Sequence, residues 1–104
     1  MIEKIIAFGT GERLQLLADF INKYSGFDVV EIWDNDVNKC GNIYEINGKE
    51  LCVNLPYFQD EYNIIVTTDI YFNEIYEKLV NELSIPSSGV LTAVRKQNMN
   101  NMEE

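Results

Sequence analysis

Oxygen-bearing side chains are concentrated in the segment EIWDNDVNKCGNIYE, which covers residues 31–45. The first, third, fifth and twelfth positions of a calcium-binding loop would fall on Asp34, Asp36, Asn38 and Glu45. In a second interpretation, Asp34 ends a buried strand and its carboxylate accepts hydrogen bonds from the hydroxyl groups of a ribose. The two interpretations require different elements around the segment, so the neighbouring sequence discriminates between them.

The flanking sequence does not fit a calcium loop. Such a loop needs a glycine at its sixth position for a sharp turn, and helices on both sides. Lys39 stands at the sixth position, Gly41 stands at the eighth, where an apolar residue is usual, and a β-branched run precedes Asp34. We therefore favour the ribose interpretation of Asp34 over the calcium interpretation and expect no metal ligands. The alternative to a ribose site is that the glycines only turn the chain and that Asp34 is a solvated strand end.

A glycine turn precedes this segment. The short apolar run KIIAF ends at Gly9-Thr10-Gly11, and such a run is typical of a strand buried on both faces of a parallel sheet. Apolar residues then recur at helical spacing over residues 12–24, which predicts an amphipathic helix. The sequence therefore predicts a strand, a glycine turn and a helix in succession.

A second strand, FDVVEIW over residues 27–33, would complete a βαβ unit and end directly before Asp34. In such a unit the backbone amides from Thr10 to Glu12 would bind phosphate at the helix N-terminus, and Asp34 would bind the ribose. Leu14 occupies the third position of the glycine pattern, where glycine permits close packing of helix and strand. We expect Leu14 to push the helix outward or to change its angle, and to narrow the space for a pyrophosphate.

The remaining elements extend an α/β pattern. Asn47-Gly48 in INGKELCV predicts a β-hairpin, and YNIIVTT predicts a strand over residues 62–68. Apolar residues at helical spacing predict a helix over residues 72–83, and a short strand is predicted over residues 90–94. The chain thus contains three parallel-type strands, two helices, a hairpin and a final strand.

The predicted fold is a single α/β domain over residues 1–94, followed by a polar tail or linker over residues 95–104. We expect three layers and a mostly parallel sheet of about four to five strands plus a small β-hairpin. In open parallel sheets, ligands bind beyond the carboxyl ends of the strands, where the strand order reverses. The binding cleft should therefore lie between the first strand and the strand that ends at Thr68.

The predicted binding residues surround that cleft, and three of them have a second interpretation. Arg13 either contacts a phosphate or faces solvent, Asn35 either contacts a base or turns the chain, and Tyr71 either covers a base or sugar or is incidentally exposed. The full predicted set is Gly9, Thr10, Gly11, Glu12, Arg13, Asp34, Asn35, Thr67, Thr68 and Tyr71.

Composition excludes several classes of function. The 104 residues carry a net charge of −9, and the eight Lys and Arg residues are scattered, so we expect no nucleic-acid partner. No apolar run is long enough to span a bilayer, so we expect no membrane insertion and a cytoplasmic location. The two cysteines and the absence of histidine exclude the usual zinc patterns within one chain.

Catalytic motifs are also missing. None of the six tyrosines is followed by lysine four residues later, and no Gly-x-Ser-x-Gly turn or histidine base is present. We therefore predict no catalytic residues and expect no catalysis by this chain alone. Whether the chain belongs to an enzyme is left open.

Several segments resemble a known class of modules. KIIAFGTGERLQLL, VVEIWDND, INGKELCV, YNIIVTTDIYFNEIYEKL and IPSSGVL are similar to small Rossmann-like modules of bacterial surface-polysaccharide proteins. Such modules are fused to glycosyltransferases and FkbM-type methyltransferases, and are similar to nucleotide-binding domains of sugar acyltransferases, epimerases and dehydratases. The resemblance spans residues 4 to about 92 and implies a nucleotide or nucleotide-sugar ligand in a polysaccharide pathway.

Three functions remain open from the sequence. The first is a nucleotide or nucleotide-sugar binding module that acts beside or within a transferase. The second is a fragment of an NAD-dependent sugar-nucleotide enzyme, so the cofactor is left open between a nucleotide sugar and NAD. The third is a protein-interaction domain with a vestigial cleft, and an exposed hairpin edge would favour a homodimer.

Overall fold

A computed structural model of the chain describes residues 3–23, 26–68 and 70–92. In these residues, six strands form one sheet, and two α-helices pack on it. The elements are β1 (Glu3–Phe8), α1 (Glu12–Lys23), β2 (Phe27–Trp33), β3 (Ile43–Ile46), β4 (Lys49–Asn54), β5 (Asn63–Val66), α2 (Phe72–Glu77) and β6 (Val90–Thr92). The prediction of a mixed α/β domain is confirmed, whereas the predicted tail over residues 95–104 lies outside the described residues.

The strands follow the order β3-β4-β2-β1-β5-β6. Five of them run parallel, and only β3 is antiparallel to its neighbour β4. The hairpin turn lies at Asn47 and Gly48, both with positive φ, as predicted. The hairpin is not an addition beside the sheet, however. Its second strand pairs with β2 through Val53 and Ile32, so the sheet has six strands rather than about four to five and a separate hairpin.

The central strand β1 is buried on both faces because its side chains alternate between two hydrophobic clusters. Ile5 and Ala7 belong to the cluster that contains the buried residues of α1. Ile6 and Phe8 belong to the cluster that contains Ile75 of α2. A helix therefore covers each face of the sheet. The carboxyl end of β1, at Phe8, lies between the two helices.

Leu14, at the third position of the glycine pattern, is part of the core. Its side chain is 3% exposed and belongs to the same cluster as Ile5 and Val29. A leucine here supplies apolar contact between α1 and the sheet, where glycine would supply only a close approach. Leu14 thus stabilises the packing of α1 against the sheet.

The second helix is shorter than predicted and changes form. The α-helical part ends at Glu77, and a π-helical turn continues over Lys78–Glu82, in which the Leu83 amide donates to the Lys78 carbonyl at 3.1 Å. Leu79 within this turn is completely buried. No helix in the described part of the chain is both long and apolar enough to cross a membrane.

The connection between β4 and β5 crosses the sheet without a helix. Residues 55–62 are held by the side-chain amide of Gln59, which bonds the backbone of Glu61 and Tyr62. The Tyr57 hydroxyl donates to Glu31 at 2.5 Å, and its ring lies 5.1 Å from that of Trp33. Tyr57 therefore anchors the connection to β2.

The hydrogen bond between Tyr57 and Glu31 predicts that the free energy of unfolding falls at high pH. The hydrogen bond to Glu31, then burial, then the charge of Glu31 raise the pKa of Tyr57 from 10.0 to about 12. Because the folded-state pKa is the higher one, the stability from this bond is fully present below about pH 10 and is lost as pH rises through about 12. We expect tyrosinate absorbance to show a late ionisation step that Tyr57→Phe lacks and Glu31→Gln moves to lower pH. An unchanged titration in both variants would contradict this anchor.

Candidate functional site

A cleft opens at the carboxyl ends of the parallel strands, where β2 and β4 lie on one side of β1 and β5 and β6 lie on the other. Its volume is about 540 Å³, within the range of small-molecule sites. The chain forms the cleft from the ends of β1, β2 and β5 and the start of α2. The lining residues are Phe8, Gly9, Thr10, Gly11, Asp34, Asn35, Asp36, Lys39, Thr67, Thr68, Tyr71, Glu74 and Ile75.

Gly9 closes the first strand at the floor of the cleft and tolerates no side chain. Its φ of +110° favours glycine, and a Cβ atom there would lie 2.5 Å from Thr67 Oγ1. Thr67 is fixed because both its amide and its hydroxyl donate to the Phe8 carbonyl at 2.9 Å. The ends of β1 and β5 are thereby locked together.

Gly11 differs from Gly9 because it borders open space. A Cβ atom at Gly11 would meet no atom within 4 Å, and its φ is not in the left-handed region. Gly11 immediately precedes α1, and the Leu14 amide donates back to its carbonyl at 3.0 Å. The first amides of a helix have no intrahelical acceptor and carry partial positive charge, so an anion can approach α1 here.

Asp34 is held in position by two donors. The Thr10 hydroxyl donates to Asp34 Oδ2 at 2.8 Å, and the Asp36 amide donates to Oδ1 at 2.9 Å. Each carboxylate oxygen can accept more than one hydrogen bond, so both retain capacity for a ligand hydroxyl. The second bond is an Asx turn, which agrees with the interpretation of Asn35 as a turn residue.

The hydrogen bond from Thr10 to Asp34 connects the glycine turn with the end of β2. Its removal should lower the stability of the fold measurably. We expect Thr10→Val to lower the free energy of unfolding by roughly 1–2 kcal/mol, because Asp34 loses a part-buried donor. The control is Thr68→Val, which alters another threonine of the cleft, whose side chain has no hydrogen-bond partner among the described residues. Urea unfolding measures both, and equal losses would contradict a specific role for the Thr10 hydroxyl.

A short 3-10 turn after Asp34 brings a cation to the cleft. The turn spans Val37–Lys39, and Asp36 caps it by accepting from the Asn38 amide at 2.9 Å. Lys39 is half-buried and lines the cleft. Sequence reasoning missed Lys39, although Asp36 is a residue type that commonly caps the start of a helical turn.

Eight of the ten predicted binding residues line the cleft. Glu12 is exposed at the start of α1, outside the lining, and the side chain of Arg13 lies outside the described part. Tyr71 is 58% exposed, at the rim. Lys39 and Glu74 are charged lining residues that the sequence did not assign to the site.

The structure assigns the calcium-pattern residues to other contacts. Asp34 and Asp36 bind backbone amides and the Thr10 hydroxyl, and Glu45 lies on the edge strand β3. Within residues 3–23, 26–68 and 70–92, no group of three or more acidic or cysteine side chains is arranged to hold a metal ion.

A second cavity, of about 670 Å³, lies beside β2 and β4. Its lining includes Glu31, Cys40, Cys52 and Tyr57. The carboxylate of Glu31 already accepts from the Tyr57 hydroxyl and from the Trp33 indole nitrogen, at 2.5 and 3.2 Å. This cavity lacks the glycine turn and helix N-terminus of the cleft, so we place the candidate site at the strand ends.

No protein-family model, curated protein or solved structure matches the chain. The geometry of the cleft is therefore the basis for assigning a function.

Proposed function

We propose that the chain is a Rossmann-like module that binds a nucleotide or nucleotide sugar in the cleft between β1 and β5. Its role would be to hold this ligand for a transferase, as a partner or a fused domain, in a bacterial polysaccharide pathway. The pathway assignment comes from the sequence resemblance, and the ligand class comes also from the cleft. The observation that carries the proposal is the Thr10–Asp34 bond, which holds a carboxylate opposite the glycine turn.

The strand order supports this proposal. In chain order the parallel strands are β1, β2, β4, β5 and β6, and in the sheet they lie as β4-β2-β1-β5-β6. Rossmann domains have the same arrangement of their first five strands, and their ligands lie where the order reverses. The switch point here is next to β1, which is where the cleft opens.

Each part of a nucleotide has a matching group in the cleft. The amides at the start of α1 would bind phosphate, as predicted for Thr10 to Glu12. The remaining acceptor capacity of Asp34 suits the vicinal hydroxyl groups of a ribose. Tyr71 at the rim would stack on a base or sugar. Gly9 has no side chain, so the floor of the cleft beside Thr67 stays free for a ligand.

The proposed role is binding without chemistry. The cleft contains Asp34, Asp36, Glu74 and Lys39 as charged groups. Both aspartates are engaged by donors from their own turn or from Thr10. The described lining has no cysteine or histidine nucleophile or base. The reaction would therefore take place on an associated domain.

A thermal-unfolding panel tests the proposal. The ligands are NAD, NADP, S-adenosylmethionine, uridine diphosphate sugars and cytidine monophosphate sugars. A ligand at about 100 times its Kd stabilises the folded state by about 2.7 kcal/mol, and each kcal/mol raises Tm by roughly 4–8 °C in a domain this small. We expect a nucleotide sugar to raise Tm by roughly 10 °C or more at that saturation.

The variant Asp34→Asn is the control, because it keeps the side-chain shape and should weaken binding of the ribose. A rise in Tm with NAD but with no other ligand would favour the alternative that the chain is a fragment of an NAD-dependent enzyme. An unchanged Tm with every ligand would contradict the proposal and leave the protein-interaction alternative.

A further inference from the structure

The charged side chains of the cleft affect how many phosphate groups a bound nucleotide can carry. Among the lining side chains that the structure describes, Asp34, Asp36 and Glu74 are carboxylates and Lys39 is the one cation. The chain as a whole has a net charge of −9. An anionic ligand therefore enters a cleft whose field is repulsive except near Lys39 and the start of α1.

Lys39 is available to a ligand. Its backbone is fixed because its amide donates to the Asp36 carbonyl at 3.0 Å, within the capped 3-10 turn. In the described part of the chain, its ammonium group has no ion-pair partner. The nearby carboxylates of Asp34 and Asp36 are each bound by a backbone amide at 2.9 Å.

Among the side chains that the structure describes, a second phosphate would find no partner comparable to Lys39. Glu12 is in the first turn of α1, so its carboxylate lies near the helix amides that would bind the first phosphate and would repel a further one. Glu74 lines the opposite part of the cleft, in the first turn of α2. Each added negative charge on the ligand would thus face carboxylates without a second described lysine or arginine in the lining.

We propose that the cleft selects a nucleotide with a single phosphate group, and that Lys39 binds this phosphate. The ligand class is a nucleoside monophosphate, either free or with a sugar esterified to the phosphate. Nucleoside diphosphates and their sugars are disfavoured. This selectivity rests on the proposed nucleotide-binding function and adds the charge class of the ligand to it.

Isothermal titration calorimetry at low ionic strength, with EDTA present, tests this selectivity. The probes are the nucleoside, the monophosphate and the diphosphate of uracil, cytosine and adenine. For the preferred base, the monophosphate should bind roughly three- to tenfold more tightly than either the nucleoside or the diphosphate, as one partly screened charge contact would give. The difference should shrink at high salt.

Three variants test which residues cause the preference for the monophosphate. Lys39→Gln should remove the advantage of the monophosphate over the nucleoside and leave the affinity for the nucleoside unchanged. Lys49→Gln is the matched control, because it removes the same charge from a lysine that pairs with Asp28 outside the cleft. Glu74→Gln should reduce the penalty on the diphosphate.

The possible failures are distinguishable. Diphosphate binding as tight as monophosphate binding at low salt would overturn the single-phosphate proposal and leave nucleotide binding intact. Equal effects of Lys39→Gln and Lys49→Gln would overturn the role of Lys39. If none of the nucleosides or nucleotides binds, the proposed function fails together with the inference.

Discussion

Substitution of Gly9 by alanine should lower the free energy of unfolding by roughly 2–4 kcal/mol, which is a large fraction of the stability of a small domain. Two costs combine at this position. The backbone has φ of +110°, which is strained for any residue with a Cβ atom, and the new atom would lie 2.5 Å from Thr67 Oγ1. In thermal unfolding, we expect Tm to fall by roughly 10 °C or more.

A double-mutant cycle with Thr67→Ala separates the two costs. Removal of Oγ1 relieves the steric conflict but not the backbone strain, so Gly9→Ala should be less destabilising in the Thr67→Ala background. Thr67→Ala alone should also destabilise, because its hydroxyl donates to the Phe8 carbonyl. A Gly9→Ala variant with the stability of the parent would contradict the close approach of β1 and β5.

Substitution of Gly11 by aspartate should weaken nucleotide binding by roughly tenfold to a hundredfold while the fold stays intact. The side chain would enter open space, and aspartate is a favourable residue before a helix, so stability should be kept or slightly raised. The new charge would lie where the phosphate approaches α1, and such a pair of like charges costs roughly 1–4 kcal/mol near a protein surface. Calorimetric titration with a nucleotide measures this loss.

Gly11→Asn is the matched control, since asparagine has nearly the same shape and is an equally good residue before a helix. The asparagine variant should bind the nucleotide more tightly than the aspartate variant, and the two should bind the phosphate-free nucleoside with similar affinity. Equal nucleotide affinities of the two variants would show that no phosphate lies near Gly11.

Local patterns in the sequence predicted the elements that form the cleft. FDVVEIW gave the bounds of β2 without error, and Asn47-Gly48 gave the hairpin turn. These patterns work because burial on one or two faces and positive φ impose residue choices on neighbouring positions. The rule for open parallel sheets then placed the cleft at the ends of β1 and β5.

Features that depend on distant contacts were missed. The parallel pairing of β4 with β2 joins residues about twenty apart, and KELCVN carries no local sign of it. Lys39 and Glu74 line the cleft because the 3-10 turn after β2 and the first turn of α2 meet there. The π-helical turn after α2 contains the buried Leu79, and the apolar spacing alone did not distinguish this turn from a continued α-helix.

Mapping of backbone amide chemical shifts during titration with cytidine monophosphate tests nucleotide binding at the cleft most directly. The small size of the chain makes every described amide accessible to this measurement. We predict saturable shifts that centre on Gly9, Gly11, Asp34 and Lys39 and that are much smaller around Tyr57 in the second cavity. Absence of saturable shifts with this and the other nucleotides, or shifts that centre on the second cavity, would contradict a nucleotide site at the strand ends.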